Sequence, residues 1–179
     1  PYREPLARVR SSHAVLVNKG NLDKDMLNFT GAIPTFNIRY KPLHLYNVKR
    51  NLIAHYDFLR GKRVAAFCGL GDNRSFFSLL KDIGAYVSHE IHFPDHHRYT
   101  EMDLKKCVTF ADTDCIVTTE KDAVKIAHMD IPENLFYLSI EAVIEDEKKL
   151  MELLLTKIGD QSRRSLNTEI RGQGPHTIH

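Results

Sequence analysis

Two hydrophobic rhythms alternate along this chain. Ala14-Val15-Leu16-Val17, Val64-Ala65-Ala66-Phe67-Cys68 and Cys115-Ile116-Val117 are short, wholly apolar runs. Such runs mark strands buried on both faces of a parallel sheet. Tyr86 to Phe93 and Leu135 to Ile140 read as two further strands. Helical spacing fills the gaps between them. Ser75 to Ile83 places Phe76, Phe77, Leu79 and Leu80 on one side, with Gly84 as the stop. A second helix opens at Thr100-Glu101-Met102-Asp103, where Thr100 is the N-cap and Asp103 completes a capping box. A third runs from Thr119 through Ala127, and a last one from Glu145 to Ile158 carries Leu150, Leu153, Leu154 and Ile158 on one face. The alternation predicts an α/β fold with a mostly parallel sheet and flanking helices.

Ahead of Gly61 the pattern changes. Arg3 to Ser11 predicts a helix with Pro5 in its first turn, and residues 21–31 predict another short one. From Pro34 to Tyr46, Phe36, Ile38 and Tyr40 alternate with Thr35, Asn37 and Arg39, as in a half-exposed strand. Pro42 demotes its continuation to an edge or a connector. The expected organisation is therefore a first packing unit over 1–31, a linking ribbon over 32–60 and an α/β domain over 61–158. The last strand and helix of that domain are free to return to the first unit. The polar, basic stretch 159–179 is expected to be a disordered tail.

Composition narrows the function. Hydrophobic residues make up 42% of the 179, enough for a core, and no apolar run approaches a membrane span. A net charge of +2 gives no electrostatic footprint for nucleic acid. Cys68, Cys107 and Cys115 are far apart in apolar settings, as expected of buried thiols in a reducing, cytoplasmic compartment rather than of a disulfide framework or zinc site. The chain begins at Pro1 without an initiator methionine or signal-peptide pattern, as expected where the true start lies upstream.

Three loops hold candidate chemistry. Phe93-Pro94-Asp95-His96-His97-Arg98-Tyr99-Thr100 gathers an acid, two imidazoles and a guanidinium between a strand and a helix. Loops at the carboxyl ends of strands carry the sites of open α/β sheets, and imidazole exchanges protons near neutrality. The plainer alternative makes Asp95 a helix cap and leaves the histidines merely exposed. Gly69-Leu70-Gly71-Asp72 lacks both the third glycine of a dinucleotide fingerprint and the Gly-Lys-Ser/Thr ending of a phosphate loop. It reads better as a tight turn. Thr118-Thr119-Glu120-Lys121-Asp122 offers Lys121 to a phosphate, or else is a capped helix start with acids in its first turn.

Taken in order, Arg3-Glu4-Pro5-Leu6, Ala14 to Asn18, Leu59 to Val64, Phe67 to Phe77, Phe93 to Thr100 and Val117 to Val124 resemble the C-terminal half of the tetraacyldisaccharide 4'-kinases, the lipid A 4'-kinases of Gram-negative bacteria. The resemblance implies a remnant of a P-loop kinase core joined by a β-ribbon hinge to a smaller α/β domain. It implies an ATP- and Mg²⁺-dependent phosphotransferase that acts on the 4'-hydroxyl of a tetraacyldisaccharide 1-phosphate to form lipid IVA. Such an enzyme works in lipopolysaccharide biosynthesis at the cytoplasmic face of the inner membrane. By position, His96 matches the family's Asp-His motif, whose imidazole supports the catalytic aspartate, and Asp95 either fixes its tautomer or caps the helix. Arg3, Arg98 and Lys121 become candidates for substrate or nucleotide phosphate. The phosphate loop, metal-binding acids and membrane-associating segment are expected upstream of Arg3, so this polypeptide alone is expected to be inactive, to bind neither ATP nor Mg²⁺ tightly and to hold no metal.

Two rivals compete with that reading. Asp95-His96-His97 also spells the motif of manganese-dependent phosphoesterases, which need further aspartates such as Asp72, Asp112 and Asp114 at strand ends. The other is a non-catalytic α/β binding module.

Overall fold

The side chains of β4 (Arg63–Cys68) divide between two hydrophobic cores. Val64, Ala66 and Cys68 enter one, Ala65 and Phe67 the other. Burial on both faces is what an unbroken apolar run is suited to. The structure, a computed structural model, describes residues 5–18, 26, 28, 30–50, 53–110 and 112–172. The chain divides into two units, Tyr40–Glu141 and the combination of Pro1–Arg39 with Ala142–His179.

Within Tyr40–Glu141, β4 lies between β5 (Tyr86–His92) and β6 (Cys115–Thr119), and β7 (Leu135–Ile144) follows β6. These pairings are all parallel. Next comes β2 (Thr35–Asn47), to which β3 (Ile53–His55) adds antiparallel. The Ser139 hydroxyl donates to the His44 carbonyl at 3.1 Å and accepts from the His44 amide at 3.1 Å.

Helix α1 (Asn73–Asp82) covers one face with Phe76, Phe77 and Leu80. The other face is covered by α2 (Glu101–Val108) through Leu104 and Cys107, and by α3 (Glu120–Ile126) through Ile126. The turn that ends α1 passes through Gly84 at φ 92°, where only glycine is unstrained. The Gly84 amide donates to the Lys81 carbonyl and Ala85 to Leu80, closing the helix end. The expected capping box is present at Thr100 and Asp103. Cys68, Cys107 and Cys115 are buried free thiols, and burial pushes each up to about 12.

In the other unit, β1 (Val15–Asn18) pairs parallel with the start of β2, from Val15 against Thr35 to Asn18 against Ile38. The Glu145 amide donates to the Asn37 carbonyl at 2.8 Å, and Arg39 pairs with the Glu145 carboxylate. The last helix, α4 (Glu147–Gly172), follows.

The mostly parallel sheet with flanking helices agrees with the expectation; several bounds do not. β2 continues through Pro42 instead of breaking there. Pro42 lies between the residues laddered to β1 (Thr35–Ile38) and those laddered to β3 (His44–Tyr46), so its missing N–H breaks neither ladder. Leu6–Ser11 is a 3-10 helix rather than an α-helix, with Pro5 just before its first turn. α4 runs well past Ile158, because Gln161, Arg163, Arg164, Leu166 and Glu169 are good helix formers and Gly159 alone does not stop them. The tail expected to be disordered from residue 159 is thus helical to Gly172, and residues 173–179 lie outside those described. The short helix read over 21–31 falls largely outside them too.

Candidate functional site

From β4 the chain passes through α1 to β5 on one side, and from β6 through α3 to β7 on the other. The connections leaving these adjacent strands run outward in opposite directions, so their carboxyl ends form a topological switch point. Open α/β sheets place ligands at such switch points. Here the loops are tied together by Asp122, whose side chain is 0% exposed. Its Oδ2 accepts the Gly69 amide at 2.8 Å and the Thr119 hydroxyl at 2.8 Å, and its Oδ1 accepts Lys125 Nζ at 2.9 Å. Burial pushes the Asp122 pKa up. The Gly69 amide, Lys125 and Thr119 outweigh it and hold the carboxyl below the usual range.

Gly69 sits where three loops meet. A Cβ there would lie 3.1 Å from the Pro94 carbonyl oxygen, 3.2 Å from the Tyr99 hydroxyl and 3.4 Å from Asp122 Oδ1. Close approach, not a left-handed backbone, is why glycine is required. Gly71 has open space, with Asp95 Oδ2 nearest at 3.8 Å. The expectation of a tight turn that needs its glycines for backbone conformation is met at neither: close packing requires Gly69, nothing crowds Gly71, and the Gly69 amide is already committed to Asp122. Asn73 ties the same loops from the other side. It accepts the Leu70 amide at 2.8 Å and donates to the Phe93 carbonyl at 2.9 Å.

Asp95 joins the same group of loops through Lys121. Its Oδ1 accepts Lys121 Nζ at 2.8 Å and the His96 amide at 3.0 Å, while its Oδ2 lies 3.7 Å from His96 Nε2. The Lys121 hydrogen bond, then the His96 amide and charge, hold the Asp95 carboxyl below its ordinary value. Asp95 does not cap α2; Thr100 does. His96 adopts φ 59°, a left-handed conformation that strains a residue with a Cβ by about 1–2 kcal/mol. Its side chain is 82% exposed, projecting from the loop rather than packing into it. Strained backbone held by its surroundings is common where a side chain must be presented.

His97 plays a different part. It stacks on Phe93 at 4.6 Å, and its Nε2 meets Asp103 Oδ2 at 3.1 Å. Burial opposes ionisation of Asp103, but Thr100 and His97 outweigh it and lower the pKa. Tyr99 packs its ring edge on Phe67 at 5.7 Å and on Phe93 at 5.0 Å. Among the described residues its buried hydroxyl has no hydrogen-bond partner of good geometry. Burial, and then the nearby Asp122 charge, push the phenol up. Arg98 is exposed beside a cavity of about 440 Å³ lined by His96, His97, Arg98, Tyr99, Lys125, His128 and Met129.

The structure thus brings Asp95, His96 and Lys121 together, and puts Arg98 on the adjoining cavity. Arg3 lies outside the described residues. Lys125 and His128 escaped the sequence reading, and Asp122 entered it only as an acid in the first turn of a helix. The anchoring role of Asn73 was missed as well. The i, i+3 spacing of Thr119 and Asp122 was the available signal for the Asp122 anchor. The acids a manganese site would need are dispersed: Asp72 caps α1, and Asp114 binds the Arg63 amide at the opposite end of the strands. Among the described residues no three His, Cys, Asp or Glu side chains converge as a metal site.

Comparison with known proteins gives a consistent answer. The family described as Tetraacyldisaccharide-1-P 4'-kinase matches residues 1–159. The tetraacyldisaccharide 4'-kinase of Desulfatibacillum aliphaticivorans is 31% identical over 168 residues, covering 87% of this chain and 46% of that protein. Its counterpart from Aquifex aeolicus is 32% identical over 152 residues, covering 85% and 44%. The crystal structure of the "apo" form of Aquifex aeolicus LpxK in complex with ATP superposes with a TM-score of 0.58 at 30% identity, covering 86% of this chain and 45% of that one. The chain therefore spans about half the length of the relatives it matches. By these matches and by its fold, the chain belongs to the tetraacyldisaccharide 4'-kinase family.

Proposed function

We propose that this chain is the part of a lipid A 4'-kinase that presents an imidazole and phosphate-binding side chains to a reaction centre completed by a longer protein. The reaction is ATP-dependent phosphorylation of the 4'-hydroxyl of a tetraacyldisaccharide 1-phosphate at the cytoplasmic face of the inner membrane. The observation that carries this reading is the exposed, strained His96 held beside the Lys121–Asp95 pair.

The division of labour follows from what the described residues offer. A triphosphate needs several free backbone amides or a lysine-bearing loop. Here the Gly69 amide is spent on Asp122, and no metal-binding acids converge among the described residues. The family match, which spans about half the length of the relatives, supports assigning ATP, Mg²⁺ and the membrane-associating surface to the other part of such an enzyme and expecting no activity from these residues alone. Lys121 anchors Asp95, and Asp95 orients the His96 loop. The His96 imidazole then stabilises a carboxylate that takes the sugar hydroxyl's proton. Arg98 offers a planar fork to substrate phosphate, and Arg3 is a further phosphate contact by its place in the family motif.

Joining this chain in frame behind the upstream part of a relative, and assaying phosphate transfer to the disaccharide, tests the reading. His96→Ala is expected to reduce turnover by about 10²-fold or more with little change in thermal stability. Undiminished turnover would remove His96 from the mechanism.

A further inference from the structure

Of the cavity next to His96 the catalytic reading uses only His96 and Arg98. Its charged lining is entirely basic: Arg98 and Lys125, with the imidazoles of His96, His97 and His128. The acids nearby are turned to other partners, Asp95 to Lys121, Asp103 to Thr100 and His97, and Asp122 to Gly69, Thr119 and Lys125. Arg98 and His128 form no hydrogen bond or ion pair with any described residue. Lys125 commits one of its three protons to Asp122 and lies 5.6 Å above the Tyr99 ring, which leaves two protons to give.

We propose that this basin binds a phosphomonoester, with Arg98, Lys125 and His128 as the donors. Lys121, whose ammonium is held by Asp95, is not one of them. The inference rests on the kinase reading only for the source of the phosphate. A fork of guanidinium donors beside an ammonium and an imidazole matches a phosphate dianion, which accepts several charge-assisted bonds at once. A volume of about 440 Å³ exceeds what a bare phosphate fills and lies within the range of small-molecule sites. Met129 and the Tyr99 ring give the rest of such a ligand an apolar wall. Two sources share this chemistry, the glycosyl phosphate of a sugar substrate and the phosphate of a nucleotide.

The test titrates inorganic phosphate, glucosamine 1-phosphate and ADP separately into the full 179-residue chain, following the histidine ring resonances by NMR. Saturable shifts of His97 and His128 are expected. The His97 midpoint, the one signal shared with the variant, should rise about tenfold or more in an Arg98→Gln, His128→Gln double variant with an unchanged unfolding transition. Tighter binding of glucosamine 1-phosphate than of phosphate assigns a sugar, tighter ADP a nucleotide, and equal midpoints a seat for the phosphate group alone; each supports the basin. Shifts that do not saturate, or that saturate equally well in the double variant, overturn it. The two readings fail separately. A joined enzyme that loses no activity on His96→Ala while the basin still titrates sinks the role of His96, and an active enzyme whose basin never saturates sinks the basin.

Discussion

At the scale of single residues, Asp122 decides whether the loops after β4 and β6 hold together. A buried carboxylate with three donors is stable only while all three remain. Replacing Asp122 with Ala would strand the Gly69 amide and leave Lys125 without its anion, so a loss of about 2–4 kcal/mol in urea unfolding is expected. A loss below about 1 kcal/mol would show that the loops hold together without it. The sign of the pH effect follows from the depressed pKa. The unfolded chain takes up the proton first as pH falls. The stabilisation from Asp122 is therefore intact above the ordinary carboxylate value of about 4 and fades as pH falls through the lower folded value. Acid unfolding of the wild type should be steeper through that window than acid unfolding of Asp122→Ala. The Asp95–His96 pair was legible because neighbours in sequence are neighbours in space. Lys121 against Asp95 was not, since only the pairing of β4 with both β5 and β6 brings residues 95 and 121 together.

Elements were legible wherever burial alone dictated them. The apolar runs at β4 and β6, the amphipathic α1 and the Thr100 capping box required no tertiary knowledge. Bounds failed where a local signal was overruled by its surroundings. Pro42 sits inside β2 clear of the residues laddered to β1 and to β3, a fact held by other segments of the chain. The two glycines after β4 look alike in sequence and differ in what stands over them. Gly69→Ala must push back a backbone carbonyl at 3.1 Å, whereas Gly71→Ala meets nothing closer than 3.8 Å. Chemical denaturation should therefore show Gly69→Ala weaker by about 1–3 kcal/mol and Gly71→Ala within about 0.5 kcal/mol of wild type. Equal effects would mean that the convergence of the three loops is loose.

On the scale of the whole chain, hydrophobic burial is unevenly shared. Both core clusters lie entirely between Leu45 and Leu138, inside Tyr40–Glu141. Outside that unit the buried apolar residues among those described are Phe36 and Leu150. The excised segment 40–141 is accordingly expected to unfold in one cooperative denaturant transition, read identically by circular dichroism and by tyrosine fluorescence. Non-coincident curves would show that its core depends on the rest of the protein.

The division of the chain falls between Arg39 and Tyr40 and again between Glu141 and Ala142, within β2 and within β7. Those two strands are neighbours in the sheet. The segment from 40 to 141 thus begins and ends at adjoining threads, like a cassette spliced into a host gene. Recombination among relatives can exchange such a cassette whole, carrying Asp95, His96 and the basic basin together, without rerouting the polypeptide on either side of it.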